Sequence, residues 1–320
     1  MSAQPVNPNL PPDHVTVFID GVEMAAPKGS MIIQAADKAG IREAYVAHIA
    51  KVLELSGTPA ADAQAQAANV LAFETRIAKA SKSREEFSRN VELYYNPMPV
   101  ADADRLTPNF PWTTFFESQG IAVPATFSVS VPSFHQEVDR MLVDVPVEQW
   151  KSYLRFHVVD GASPYLSDAF AQQNYDFYNR TLSGQQEIEP RWKRVLGTVD
   201  SQVGEAMGQL YVQVAFPAES KAKMEALIRN LSDALKIRIE NLEWMSAETK
   251  QKALEKWNTF EPRVGYPDKW RDWAGLTTSR DSYIGNVMAA TEFNYKWDIG
   301  KIGKPVDKSE WGMRPQTVNA

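Results

Sequence analysis

Cysteine is absent from this 320-residue chain. Its absence excludes disulfides, thiolate zinc sites, thiol nucleophiles and cysteine-held iron–sulfur clusters. It does not select a compartment, because a cysteine-free protein is at home in either redox environment. Histidine is scarce, with four residues, and none is followed by glutamate. His14 precedes Val15, His48 precedes Ile49, His135 precedes Gln136 and His157 precedes Val158. The His-Glu-x-x-His helix, which grips zinc with two imidazoles one turn apart and activates water with the glutamate, is therefore missing. A basic excess is missing too: the net charge is -6, which leaves no electrostatic footprint for nucleic acid. No window approaches eighteen uninterrupted apolar residues, so no membrane-spanning helix is expected. Met1–Pro12 is polar and proline-rich, without the apolar core of a signal peptide or anchor.

What is present suffices for a sizeable core, since 44% of the residues are hydrophobic. After a leader expected to be disordered, Val15–Ile19 and Val22–Met24 flank Asp20-Gly21, which predicts a β-hairpin. Pro27-Lys28-Gly29 stops the second strand, and Ser30 opens a short helix to about Ala39. From Ile41 the spacing turns helical, through Ala44, Tyr45, Ile49, Val52 and Leu53. Gly57 ends that helix, and Thr58-Pro59 starts an alanine- and glutamine-rich one reaching about Ala80. Ser83 with Glu86 forms a capping box. The proline-broken connector Asn96–Pro132 predicts a helix near Trp112–Ser118 and a strand at Thr126–Val131.

Pro146 opens a helix whose stripe is Trp150, Tyr153, Leu154 and Val158, and another helix covers roughly Leu166–Thr181. The longest, Glu219–Glu243, repeats Met224, Leu227, Ile228, Leu231, Leu235, Ile239 and Leu242 at steps of three and four. Burying those seven side chains is worth roughly 10–20 kcal/mol gross. Ordering the backbone costs about 1–2 kcal/mol per residue, so this helix is expected inside a packed bundle. Ser246 caps a further helix to about Thr259, and one more is expected near Ser279–Glu292.

Four motifs then act together: Arg191-Trp192 with Tyr211-Val212 and Phe216; Leu242-Glu243-Trp244-Met245 followed by Thr249-Lys250, Ala253 and Lys256; Val264-Gly265-Tyr266-Pro267; and Val306–Trp311 leading to Val318-Asn319-Ala320. Over about 41–320 they resemble the neprilysin family of zinc endopeptidases, in its N-terminal, non-catalytic half. The resemblance implies a mainly α-helical bundle, with a short N-terminal β-hairpin, that covers an active site and restricts it to short peptides. It also implies that Asn319 and Ala320 begin an edge strand that holds the substrate backbone by β-augmentation. No catalytic or metal-ligating residue is assigned in this chain. Zinc belongs to the full-length family, and the partners implied are short peptides and the missing catalytic half. Family members often act outside the cytoplasm.

The head, Val15–Gly40, resembles the start of the ferredoxin-like domain in the large peripheral subunit of bacterial complex I. Such a domain needs cluster cysteines that this chain lacks. The division read from the sequence is thus a disordered leader (1–14), a truncated ferredoxin-like hairpin plus helix (15–40), and a neprilysin-like helical domain (41–320). The alternative readings are a helical peptide-binding or structural module and a remnant of an electron-transfer subunit.

Some constellations admit two readings. His135, Glu137 and Asp139 alternate; on a strand they would share one face and gather a metal, on a helix they form a solvated face. His48 and His157 fall on apolar helical stripes as core or boundary residues. Tyr175, Phe177, Tyr178 and Trp192 either line a peptide-access cavity or pack in a core.

Overall fold

The computed structural model describes residues 14–19, 22–27 and 40–318. The leader, the Asp20-Gly21 turn, the helix from Ser30 and the pair Asn319-Ala320 lie outside them. The chain forms two compact units, Met1–Ile188 and Glu189–Ala320.

In the first unit, β1 (His14–Ile19) pairs antiparallel with β2 (Val22–Pro27), with His14 opposite Pro27 and Ile19 opposite Val22. This is the register that the Asp-Gly signal predicts. Helices α1 (Ile41–Leu55) and α2 (Ala60–Ala80) are joined through Gly57 at φ +97°. Helix α3 (Arg84–Arg89) opens on the capping box read from the sequence, with Glu86 N donating to Ser83 Oγ and Ser83 N donating to the Glu86 carboxylate. The connector carries β3 (Pro97–Pro99), α4 (Val100–Leu106), α5 (Trp112–Ser118) and β4 (Thr126–Ser128), with β3 and β4 paired antiparallel. The last strand stops short of Val131, which turns at φ +47° before Pro132 opens α6 (Pro132–Asp144). Helices α7 (Val147–Ala162) and α8 (Asp168–Asn174) follow, and α8 continues as a π-helix over Tyr175–Thr181.

The core of this unit lies where α1, α2 and α7 meet. Ile49, Val52 and Leu53 pack against Ala63, Ala67, Val70 and Phe156. Alanines one turn apart on α2 let α1 approach closely, and each fully buried large side chain contributes roughly 1.5–3 kcal/mol. The stripe expected on α7 needs correction. Leu154 and Val158 are 53% and 70% exposed, while Ser152, Phe156 and Asp160 are buried. The inward line is shifted because its polar members have partners: Ser152 Oγ donates to Glu148 O, and Asp160 accepts from His48 and Tyr178.

The second unit holds α9 (Arg191–Ala215), kinked at Val203, then α10 (Ala218–Glu240), α11 (Ala247–Trp257) and α12 (Tyr283–Ile299). Ser246 caps α11, as read from the sequence. Helix α12 starts later than expected because Asn286 binds both the N–H and the carbonyl of Ser279, which holds 279–281 outside the helix. The α10 stripe is the larger correction. Met224, Leu227, Leu231 and Leu235 are 41% to 58% exposed, and the buried residue of this helix is Lys221. Helix α10 packs on α11 through Trp257, whose Nε1 donates to Ser232 O at 2.9 Å and whose ring carries Lys236 Nζ at 5.1 Å. Among the described residues no helix is long and apolar enough to cross a membrane.

Candidate functional site

The Val-Gly-Tyr-Pro motif folds against the corner between α9 and α10. Gly265 sits at φ +71°, a conformation that side chains disfavour, and a Cβ built there would lie 2.4 Å from the Phe216 ring. Close approach of backbone to ring therefore requires glycine. Tyr266 then stacks on Trp270, with centroids 5.8 Å apart and planes at 9°, and meets Phe216 edge-on at 6.3 Å. Lys221 Nζ lies 4.3 Å from the Tyr266 centroid, and donates to Tyr266 O at 2.8 Å and to Asp268 at 2.5 Å. Three acceptors of positive charge thus satisfy a nearly buried ammonium. Beside this aromatic wall lies a cavity of about 400 Å³, open to solvent and lined from α9 by Gln209, Val212 and Gln213.

Farther along α9 the chain passes back over the helix. Gln316 Nε2 donates to Asp200 at 2.6 Å and to Gly204 O at 2.8 Å, and Arg314 Nη1 donates to Asp200 at 2.5 Å. Cβ atoms at Gly204 and Gly208 would lie 2.3 Å from Arg314 and 2.8 Å from Pro315. This seat anchors the segment leading to Asn319 and Ala320, the predicted substrate-binding pair, which itself lies outside the described residues. A third cluster surrounds Arg271, whose guanidinium lies 4.5 Å from the centroids of Trp273 and Trp297 and 5.0 Å from that of Phe293. Burial among these rings pushes the guanidinium below its ordinary pKa.

In the first unit His48 and His157 bind different carboxylates. His48 Nε2 lies 2.9 Å from Asp160 Oδ1, its Nδ1 lies 3.1 Å from Gln173 Nε2, and Tyr178 Oη donates to Asp160 Oδ2 at 2.6 Å. The Phe177 ring stacks on His48 at 4.6 Å. Burial, and then the hydrogen bond to Asp160, push the Tyr178 phenol well above its usual range. His157 shares Glu74 with Tyr45, each at 2.9 Å. Of the four aromatics weighed for a peptide cavity, Tyr175 and Phe177 are buried in the core, Tyr178 holds Asp160, and Trp192 is exposed on α9.

His135, Glu137 and Asp139 lie on a helix and diverge. His135 packs edge-on against Trp112 at 5.1 Å, Glu137 accepts from Arg76 and Arg140, and Asp139 accepts from the backbone and side chain of Asn109. Asp139 is buried, so the expected solvated face is corrected at that position. Its cap on Asn109, thirty residues away, leaves no local trace. Among the described residues no three His, Asp or Glu gather as metal ligands. The described donor set thus does not fit zinc.

Comparison with known proteins shows the family. The model of the N-terminal part of peptidase family M13 matches residues 4–267. Neprilysin-3 of Drosophila melanogaster is 29% identical over 293 residues, spanning 86% of this chain and 37% of that protein. The endothelin-converting enzyme homolog of Locusta migratoria is 27% identical, with 88% and 41% covered. The zinc metalloprotease ZMP1 of Mycobacterium tuberculosis in its open state superposes with a TM-score of 0.82 at 31% identity, over 98% of this chain and 50% of that one. The same protein in complex with an inhibitor gives 0.76 at 35% identity, over 88% and 43%. The chain spans half or less of the length of these relatives. With most of its residues inside the family match, the chain belongs to peptidase family M13.

Proposed function

We propose that this chain is the non-catalytic, helical portion of a neprilysin-like zinc endopeptidase, and that the whole protein cleaves short peptides. The observation that carries the reading is the M13 match over 4–267 in a chain that spans 34% to 50% of its relatives. The donor chemistry supports it: His48 is held between Asp160 and Gln173, His157 pairs with Glu74, and neither faces a second imidazole. We place zinc and the hydrolytic step in the catalytic half of the protein, with Asn319 and Ala320 holding the substrate backbone beside it. The M13 match also takes in residues 15–40. We therefore assign the hairpin to the same portion, and the resemblance to the complex I subunit has no separate support.

The test is incubation of the purified chain with zinc and a fluorogenic peptide. No chelator-sensitive turnover is expected, and turnover above background would overturn the assignment. A second reading, a peptide-binding module, is favoured by the cavity beside Tyr266 and Trp270. Calorimetry with short peptides decides it, because a purely structural portion gives no heat.

A further inference from the structure

We propose that the cavity between α9 and the Gly265-Tyr266-Pro267 turn is a subsite for one uncharged aromatic side chain of a bound peptide. In this arrangement Gln209 and Gln213 hold the peptide groups on either side of it. The proposal rests on the peptide-binding reading above and specifies where and what that reading binds.

Three observations carry it. The space, about 400 Å³ in a groove open to solvent, is large enough to admit one aromatic side chain. The wall is aromatic: Tyr266 and Trp270 are already parallel at 5.8 Å, with Phe216 edge-on beside them, and a further ring extends that pattern in offset or edge geometry. The rim is polar but uncharged. Gln209 and Gln213 stand one turn apart on α9, and their carboxamides have no hydrogen-bond partner among the described residues. A carboxamide donates and accepts at once, as a peptide group requires.

The same helix already shows this pairing, where Gln316 donates to Gly204 O. Asp200, Gly204, Gly208, Val212 and Phe216 recur every four residues, so the cavity continues the stripe on which Arg314, Pro315 and Gln316 rest. No side chain that carries a charge at neutral pH lines the cavity, and Lys221, 4.3 Å from the Tyr266 ring centroid, is paired with Asp268. A charged ligand side chain would lose its water without gaining a counter-ion.

The test uses the full chain with nitrogen-15 labelling and two blocked pentapeptides of alanine, one with a central phenylalanine and one with a central glutamate. The indole resonance of Trp270 is identified by Trp270→Phe. The phenylalanine peptide is expected to shift that resonance saturably, and the glutamate peptide to bind about tenfold more weakly. Gln213→Ala, an exposed position that leaves the fold intact, is expected to weaken binding about threefold. Phenylalanine-peptide binding with an unmoved Trp270 resonance, or equal binding of both peptides, would overturn the subsite while leaving the peptide-binding reading in place. No binding of either peptide would remove both.

Discussion

The ring of Phe216 fills the space that any side chain at position 265 would need: a Cβ on Gly265 falls 2.4 Å from Phe216 Cε1. Gly265→Ala is expected to destabilise the chain by roughly 2–3 kcal/mol, from backbone strain at positive φ together with the displaced ring. Pairing it with Phe216→Ala should remove the collision but not the strain. The double variant should then lose less than the sum of the two single losses, as read by urea unfolding; simple additivity would argue against the contact.

Asp200 accepts from both Arg314 and Gln316. Asp200→Ala should free that segment from α9. The Thr317 amide, which donates to Arg314 O at 3.0 Å, is expected to exchange with deuterium about tenfold faster. Unchanged exchange would mean that the glycine seats and the backbone bonds from Arg314 and Gln316 hold the segment without Asp200.

Asp160 is the shared acceptor of His48 and Tyr178. Asp160→Ala takes the acceptor from buried His48 Nε2 and from the half-buried Tyr178 hydroxyl and should cost roughly 2–5 kcal/mol in denaturant unfolding. Asp160→Asn, which keeps one acceptor oxygen, should cost less.

Hydrogen bonds from Arg76 and then from Arg140 hold the Glu137 carboxyl below its ordinary pKa. A carboxyl with a lowered folded pKa stabilises the fold at pH values above its unfolded pKa, about 4.3. That stabilisation is lost as pH falls through the folded value. Glu137→Gln should therefore lower the melting temperature at neutral pH and narrow its difference from the parent near pH 3. Parallel melting curves from neutral to acidic pH would contradict this account.

Local signals were legible. The capping box at Ser83 and Glu86, the Ser246 cap and the hairpin register all follow from residues within a few positions of one another. The Val-Gly-Tyr-Pro motif carried the family resemblance but gave no sign of the cavity beside it, because Phe216 lies about fifty positions before it and meets it only in the fold. The α10 stripe misled for a related reason. Periodicity says that one face is apolar, not that a neighbour covers it, and Leu227, Leu231 and Leu235 remain exposed. His48 and Asp160 are 112 residues apart, and nothing local couples a histidine on one helix to an aspartate on another. The π-helix is likewise invisible to a reading based on 3.6-residue steps.

That π-helix makes the chain intolerant of a change in length at 175–181. Phe177 lies flat on His48 and its sequence neighbour Tyr178 meets the same imidazole edge-on at 5.3 Å. Deleting a single residue just upstream would draw Phe177 and Tyr178 back by one position, a rotation of about 100° about the helix axis. Both aromatic groups would then leave the histidine at once. At this point the count of residues, more than their identity, determines whether the imidazole keeps its surroundings.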